Sequence, residues 1–115
     1  MLVAGYRARA SAAGDPIISD PWAARLAGSE GEALTRQFDG PQPHLELWIA
    51  VRTAHLDARV RDLTGPRSSI AQVVILGAGL DTRAARLARS TWRCHVRLCV
   101  AAGNCFAHGS LCVVG

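Results

Sequence analysis

The sequence predicts an α/β fold in which several helices lead up to one β-α step. Three observations carry this. Val73-Val74-Ile75-Leu76 is a short apolar run rich in β-branched residues and bounded by Gln72 and Gly77, the pattern of a buried strand. Gly77-Ala78-Gly79 follows at once, and two glycines let the backbone turn tightly and let a ligand approach with no Cβ in the way. Asp81 to Arg89 is Ala- and Arg-rich, which favours helix, with Asp81 or Thr82 as its N-cap. Strand, glycine turn and helix in that order form the first step of a nucleotide-type α/β sheet, which takes its ligands beyond the carboxyl ends of the strands.

The upstream elements follow in order. Residues 1–14 form either a short helix or a loose segment; Tyr6, Arg7 and Arg9 are within reach of a ligand there. Pro16 and Pro21 push the residues before them out of helical geometry, so 15–22 is a rigid connector. Asp20-Pro21 is an N-cap and first-position pair that starts a helix over 20–38, with Trp22 and Leu26 on one face and an interruption at Gly28-Ser29-Glu30-Gly31. Residues 43–63 make the strongest helix, because Leu45, Ile49, Leu56, Val60 and Leu63 recur on one stripe until Gly65-Pro66 stops it. Trp48 reads as core and His55 as packed. Asp57 lies off the stripe centre, placed to pair with Arg61 at i+4. Residues 90–115 form an atypical tail with a strand expected around Cys94 to Val100, and the chain carries no internal repeat.

With 115 residues there is room for one small domain, residues 1–89, and half of the residues are apolar. All 13 basic residues are Arg, and the net charge is +4. The arginines are scattered among nine acids, all at or before Asp81, with no basic run and no interleaved aromatics, which argues against nucleic acid as a partner. No apolar run approaches membrane-spanning length and no secretory signal stands at the N-terminus, so no membrane association and a cytoplasmic location are expected. Cys94, Cys99, Cys105 and Cys112 show no CxxC spacing, and His95 and His108 complete no zinc pattern, so reduced thiols and no metal are expected.

Arg52 falls near the centre of the long helix's stripe. A core-facing guanidinium is costly unless acceptors meet it. Either it snorkels or pairs with an acid such as Asp81, or its planar fork holds a ligand carboxylate. The glycine turn lacks the third glycine of a dinucleotide fingerprint, Thr82 standing there, and no P-loop Gly-Lys-Ser/Thr follows. Asp81 directly after the turn disfavours a phosphate and suits a cationic ligand. S-adenosyl-L-methionine carries an ammonium, a sulfonium and one carboxylate, for which Arg52 is a fitting donor.

WIAVRTAHLDARV followed by VVILGAGLDTRAARL resembles the leucine carboxyl methyltransferase-like family of S-adenosylmethionine-dependent O-methyltransferases, in particular its mycobacterial group. The earlier DPIISDPWAARLAG is similar to that group's N-terminal segment. The likeness covers about Tyr6 to Arg89, and the paired motifs Arg-Thr-x-x-x-Asp and Gly-Ala-Gly-x-Asp-Thr-Arg carry it. It implies a Rossmann-like methyltransferase sheet, of which this chain holds the first β-α unit and is otherwise incomplete. It implies that Arg52 holds the cofactor carboxylate, that Gly77, Ala78 and Gly79 lie against the methionine part, and that Asp81 and Arg83 order the turn. A small-molecule methyl acceptor is implied; no catalytic residue is.

The family's next strand ends in an acid that grips the ribose hydroxyls, about 20 residues past the turn. Here His95 to Ala102 holds no Asp or Glu. A family-like chain is more than twice as long, and the change in character after Arg89 is the one expected of a truncated gene or a shifted reading frame. Little or no activity is therefore expected of this chain by itself. Two alternatives stand beside this reading. One is a non-catalytic helical module that self-associates through Leu45, Ile49, Leu56 and Val60; the other is a fragment of a nicotinamide-dependent oxidoreductase.

Overall fold

Ala, Leu and Arg are strong helix formers, and residues 1–14 use them: α1 runs Leu2–Ser11. A computed structural model describes residues 1–70 and 72–87, together with the backbone of 95–99, 104–107 and 110–113. The chain divides into two units, Met1–Leu56 and Asp57–Gly115.

In the first unit, Asp20 organises the connector. Its Oδ1 accepts the backbone N–H groups of Trp22 and Ala23 at 3.2 and 3.1 Å, and its Oδ2 pairs with Arg7 Nε at 3.0 Å. The carboxylate thus ties down the start of the helix that follows, α2 (Ala23–Asp39), from three residues before Ala23; Trp22 holds the N-cap position, so the helix begins later than the expected Asp20-Pro21 start. Gly28 kinks α2 at φ +58°, a backbone geometry that only glycine enters easily, so the expected interruption is a bend within one element. Trp22 and Leu26 remain largely exposed. The face of α2 that packs is a row of small residues four apart: Ala23, Ala27, Gly31 and Thr35 are all buried. Against it α1 comes so close that a Cβ on Gly5 would lie 2.6 Å from the Gly31 carbonyl oxygen. Close approach of two backbones, rather than large apolar side chains, fills this crossing.

Tyr6 is the largest side chain buried there, at 1% exposure. Its hydroxyl lies 3.2 Å from both the Thr35 carbonyl and Asp39 Oδ1. Arg9 also binds Asp39 through Nη1 at 2.8 Å and Glu46 through Nη2 at 2.7 Å. Tyr6, Arg7 and Arg9, which the sequence left within reach of a ligand, are all taken up by these internal partners.

The third helix, α3, runs Leu45–Leu63. Its buried positions are Ile49, Ala50, Thr53 and Asp57. At 100° per residue this face is rotated by about 80° from the expected stripe. Three readings are corrected as a result. Arg52 is exposed instead of core-facing, and its guanidinium stacks over the Trp48 ring, 5.5 Å from the centroid. Trp48 is 59% exposed instead of core, and His55 is exposed. Of the residues expected to drive association, Ile49 is buried and Leu45, Leu56 and Val60 are half-buried; Leu47, Trp48 and Val51 are the exposed apolar set.

In the second unit, β1 (Gln72–Leu76) leads through the glycine turn into α4 (Arg83–Leu87). Ala88 and Arg89, the expected end of that helix, lie outside the described residues. A parallel partner follows, β2 (His95–Cys99), with Gln72 opposite His95 and Leu76 opposite Cys99. Antiparallel strands β3 (Asn104–Ala107) and β4 (Ser110–Val113) complete a sheet of order β1-β2-β3-β4. Cys94 lies outside the described residues, as do the cysteine side chains of the strands. No helix among the described residues is long and apolar enough to cross a membrane, and no group of three metal-ligating side chains occurs among them.

Burial, and then the Asp39 carboxylate, push the Tyr6 hydroxyl above the ordinary tyrosine value. A raised folded-state pKa means that the neutral hydroxyl stabilises the fold fully below about pH 10 and that this contribution is lost as pH rises through the higher folded value. Tyr6 is the sole tyrosine, so tyrosinate absorbance reports it alone. An alkaline titration is expected to show ionisation above pH 10 with loss of helical circular dichroism in step; ionisation at the ordinary value would refute the buried hydroxyl.

Candidate functional site

The β1–α4 turn forms because two of its residues leave the ordinary backbone region. Gly77 has φ +59° and Gly79 φ +52°, where a Cβ would clash with the chain itself. The Asp81 N–H donates to the Ala78 carbonyl at 2.9 Å, closing a β-turn in which Gly79 takes the first central position. Among the described residues none crowds this turn: a Cβ on either glycine would meet no atom of theirs within 4 Å. The glycines are therefore required by conformation, and no described residue fills the space over them.

Asp81 then tethers the helix entrance. Its Oδ1 accepts the Arg83 backbone N–H at 2.7 Å, and its Oδ2 accepts from Arg83 Nη1. Arg83 has a second acid: its Nε donates to Asp57 Oδ1 at 2.9 Å. Asp57 also binds Arg86, through Nη2 at 3.1 Å and through Nη1. Arg86 Nε in turn donates to Thr82 Oγ1 at 2.8 Å, and the Thr82 carbonyl accepts the first helical N–H groups, from Ala85 and Arg86. Asp57 is 3% exposed and Thr82 4%, and the arginine side chains are about as well covered. Among the described residues, two acids and two arginines balance in charge here, which meets the requirement that buried ions be paired and hydrogen-bonded.

The match to a family model extends over residues 1–97, which includes β1, the turn, α4 and the helices before them, and its description is leucine carboxyl methyltransferase. The chain belongs to the leucine carboxyl methyltransferase family. Among its relatives in that family, one from Mycobacterium marinum is 42% identical over 97 residues, covering 75% of this chain and 32% of the relative. One from Mycobacterium tuberculosis is 39% identical over 99 residues, covering 75% and 28%. A third, from Mycolicibacterium vanbaalenii, is 40% identical over 100 residues, covering 75% and 32%. All three are named as S-adenosyl-L-methionine-dependent methyltransferases. The chain spans about a third of the length of the curated relatives it matches. No solved structure matches it.

Within this member of the leucine carboxyl methyltransferase family, Gly77, Ala78, Gly79, Asp81 and Arg83 come together at the turn. Arg52 belongs to the first unit and lies exposed on α3. Asp81 gives its carboxylate to Arg83. Asp57 meets Arg83 and Arg86, not Arg61. Asp57, Thr82 and Arg86 are the members of the cluster that sequence reasoning missed. A signal for them was present: Arg83 and Arg86 are three apart, hence on one face of α4, and two like charges on one face call for an acid.

Replacing Gly79 by Ala keeps the turn's composition but forces a Cβ into the left-handed region. The expected cost is about 1–2 kcal/mol of unfolding free energy in urea. Gly14→Ala, where a Cβ meets nothing within 4 Å and φ is ordinary, is expected to change stability by no more than about 0.5 kcal/mol. Equal effects of the two substitutions would show that the turn does not hold this geometry.

Proposed function

We propose that this chain carries the first cofactor-binding element of an S-adenosyl-L-methionine-dependent O-methyltransferase, acting on a small-molecule methyl acceptor, with weak cofactor binding and little or no turnover of its own. The observation that carries the reading is the strand–turn–helix with two left-handed glycines and open space above them, inside the span that matches the family. Here β1, the turn and α4 are read as the first β-α unit of a Rossmann-like methyltransferase sheet.

The turn fits the methionine end of the cofactor. Gly77, Ala78 and Gly79 present backbone without side-chain obstruction, and Asp81 and Arg83 neutralise each other, so neither charge of the ligand is repelled. Arg52, whose guanidinium stacks on Trp48, is assigned to the cofactor carboxylate by the family likeness alone. When bound, the cofactor supplies a methyl group activated by a sulfonium; this chain's residues bind and orient. The ribose end fits less well. The carboxyl end of β2 lies beside the turn through the Leu76–Cys99 register, and no Asp or Glu follows Asp81.

Titrating S-adenosylmethionine into isotopically labelled chain tests this. Weak, saturable shifts are expected at the Gly77–Asp81 amides and at Arg52, with none from NAD. Selective NAD binding overturns the cofactor class, micromolar affinity overturns the claim of weakness, and shifts confined to other residues remove the turn from the site.

One observation favours a second reading, a helical interaction module. Leu47, Trp48 and Val51 stand side by side on α3, each more than half exposed. On that reading the chain sediments as a dimer at micromolar concentration and Val51→Glu returns it to monomer. A wild-type monomer across the range excludes it.

A further inference from the structure

We propose that Asp57 is a positioning residue for the glycine turn, acting through two arginine arms. Its functional consequence rests on the reading of the turn as the cofactor seat; the positioning itself does not. One arm runs from Asp57 Oδ1 to Arg83 Nε at 2.9 Å and from Arg83 Nη1 to Asp81. The other runs from Asp57 to Arg86 and from Arg86 Nε to Thr82 Oγ1 at 2.8 Å. The arms end on consecutive residues, Asp81 and Thr82. These are the last two before α4, and each is tied to the backbone around it: the Asp81 N–H to Ala78, the Asp81 carboxylate to the Arg83 N–H, and the Thr82 carbonyl to Ala85 and Arg86. One carboxylate therefore sets the direction in which the chain leaves the turn.

The geometry asks for a guanidinium in the first arm. Arg83 serves two acids at once through Nε and Nη1, which are fixed in one plane. A lysine ammonium in its place reaches either acid but does not hold the two at a set separation. Asp57→Asn keeps the shape of the side chain, turns one acceptor into a donor facing an arginine, and removes the charge that both arms share.

Residue-resolved amide hydrogen exchange on the full chain tests the assignment. In Asp57→Asn, exchange of the Asp81 and Arg83 amides is expected to rise by about tenfold or more, the scale of one lost charge-assisted hydrogen bond. Amides of β1 and of the α1–α2 crossing are expected to stay within about twofold, the scale of an unaffected site. Arg83→Lys is expected to give the same localised rise, and the double variant no more than the larger single effect, because both break one chain of contacts. Arg61→Ala is the control without effect. A purely structural role raises exchange evenly through the second unit, and that result, or unchanged exchange at Asp81, overturns the assignment. Should Asp57→Asn fail to fold, Arg83→Lys decides by the same criterion. S-adenosylmethionine at millimolar concentration is added to the same samples. A wild-type chain without cofactor shifts, in which Asp57→Asn still loosens the turn, sinks the cofactor reading and supports the positioning role. Cofactor shifts that survive Asp57→Asn at unchanged affinity overturn its functional consequence.

Discussion

A carboxylate on the buried face of a helix has to be answered, and Asp57 is answered twice, by Arg83 and Arg86. Left alone at 3% exposure it would carry a desolvation penalty of several kcal/mol. The reverse also holds, since the two arginines sit on α4 and are almost as well covered. An apolar quartet of the same volume would pack about as stably. What the ions add is direction, because each guanidinium fixes where its donors point. Among the described residues of the second unit, Leu87 is the one apolar side chain that is fully buried, while Val73 and Ile75 of β1 are half-covered.

The first unit solves the same problem with opposite materials. Its crossing of α1 and α2 excludes bulk: Gly5 and Gly31 bring backbones into contact, and Ala23, Ala27 and Thr35 continue the row. Short side chains lose little rotamer freedom on burial, so close dispersion contact is gained at small entropic cost. Tyr6 is the exception in size, and its hydroxyl is correspondingly satisfied by Thr35 and Asp39. The ion pairs at the rim of this crossing, Arg9 with Asp39 and Glu46, are about 40% exposed and contribute at most about 1 kcal/mol each.

The two units also explain which parts of the structure could be read from the sequence. The β1 strand, the glycine turn and the start of α4 are legible because each is dictated locally: β-branched residues, positive-φ glycines, and a capping acid after them; the expected burial of β1 is corrected, since Val74 and Leu76 are exposed. Asp20 is legible as the acid that ties down the start of α2 for the same reason. The orientation of α3 was not. Hydrophobic periodicity assigns a face by size and apolarity, and the buried face of α3 is made of Ile49, Ala50, Thr53 and an acid, while Leu47, Trp48 and Val51 point outward. That choice depends on partners far along the chain, and no spacing rule inside the helix encodes them. Arg52 sits near the centre of the periodic stripe, and the same rotation leaves it exposed. The row of small residues on α2 is illegible for a related reason, since Ala and Gly at i+4 carry no apolar bulk to mark a packed face until a second backbone is known to approach them.

The proposed cofactor seat has two halves with different demands, and they need not fail together. The turn half requires conformation: left-handed glycines, and a helix entrance fixed by Asp57. The half at the end of β2 requires an acceptor for the ribose hydroxyls, and a neutral group or a backbone carbonyl accepts where an acid would. A charge-assisted hydrogen bond contributes about 1.5–3 kcal/mol against about 0.5–1.5 for a neutral one. Losing the acid alone therefore weakens binding by about tenfold, in line with the constant of 1.4 kcal/mol per decade. A tenfold loss makes a weak site and does not abolish one. If this chain holds the cofactor at all, the turn and its arginine clamp must supply the larger share, and the residue that governs the seat is then Asp57, an acid that by this reading never meets the ligand.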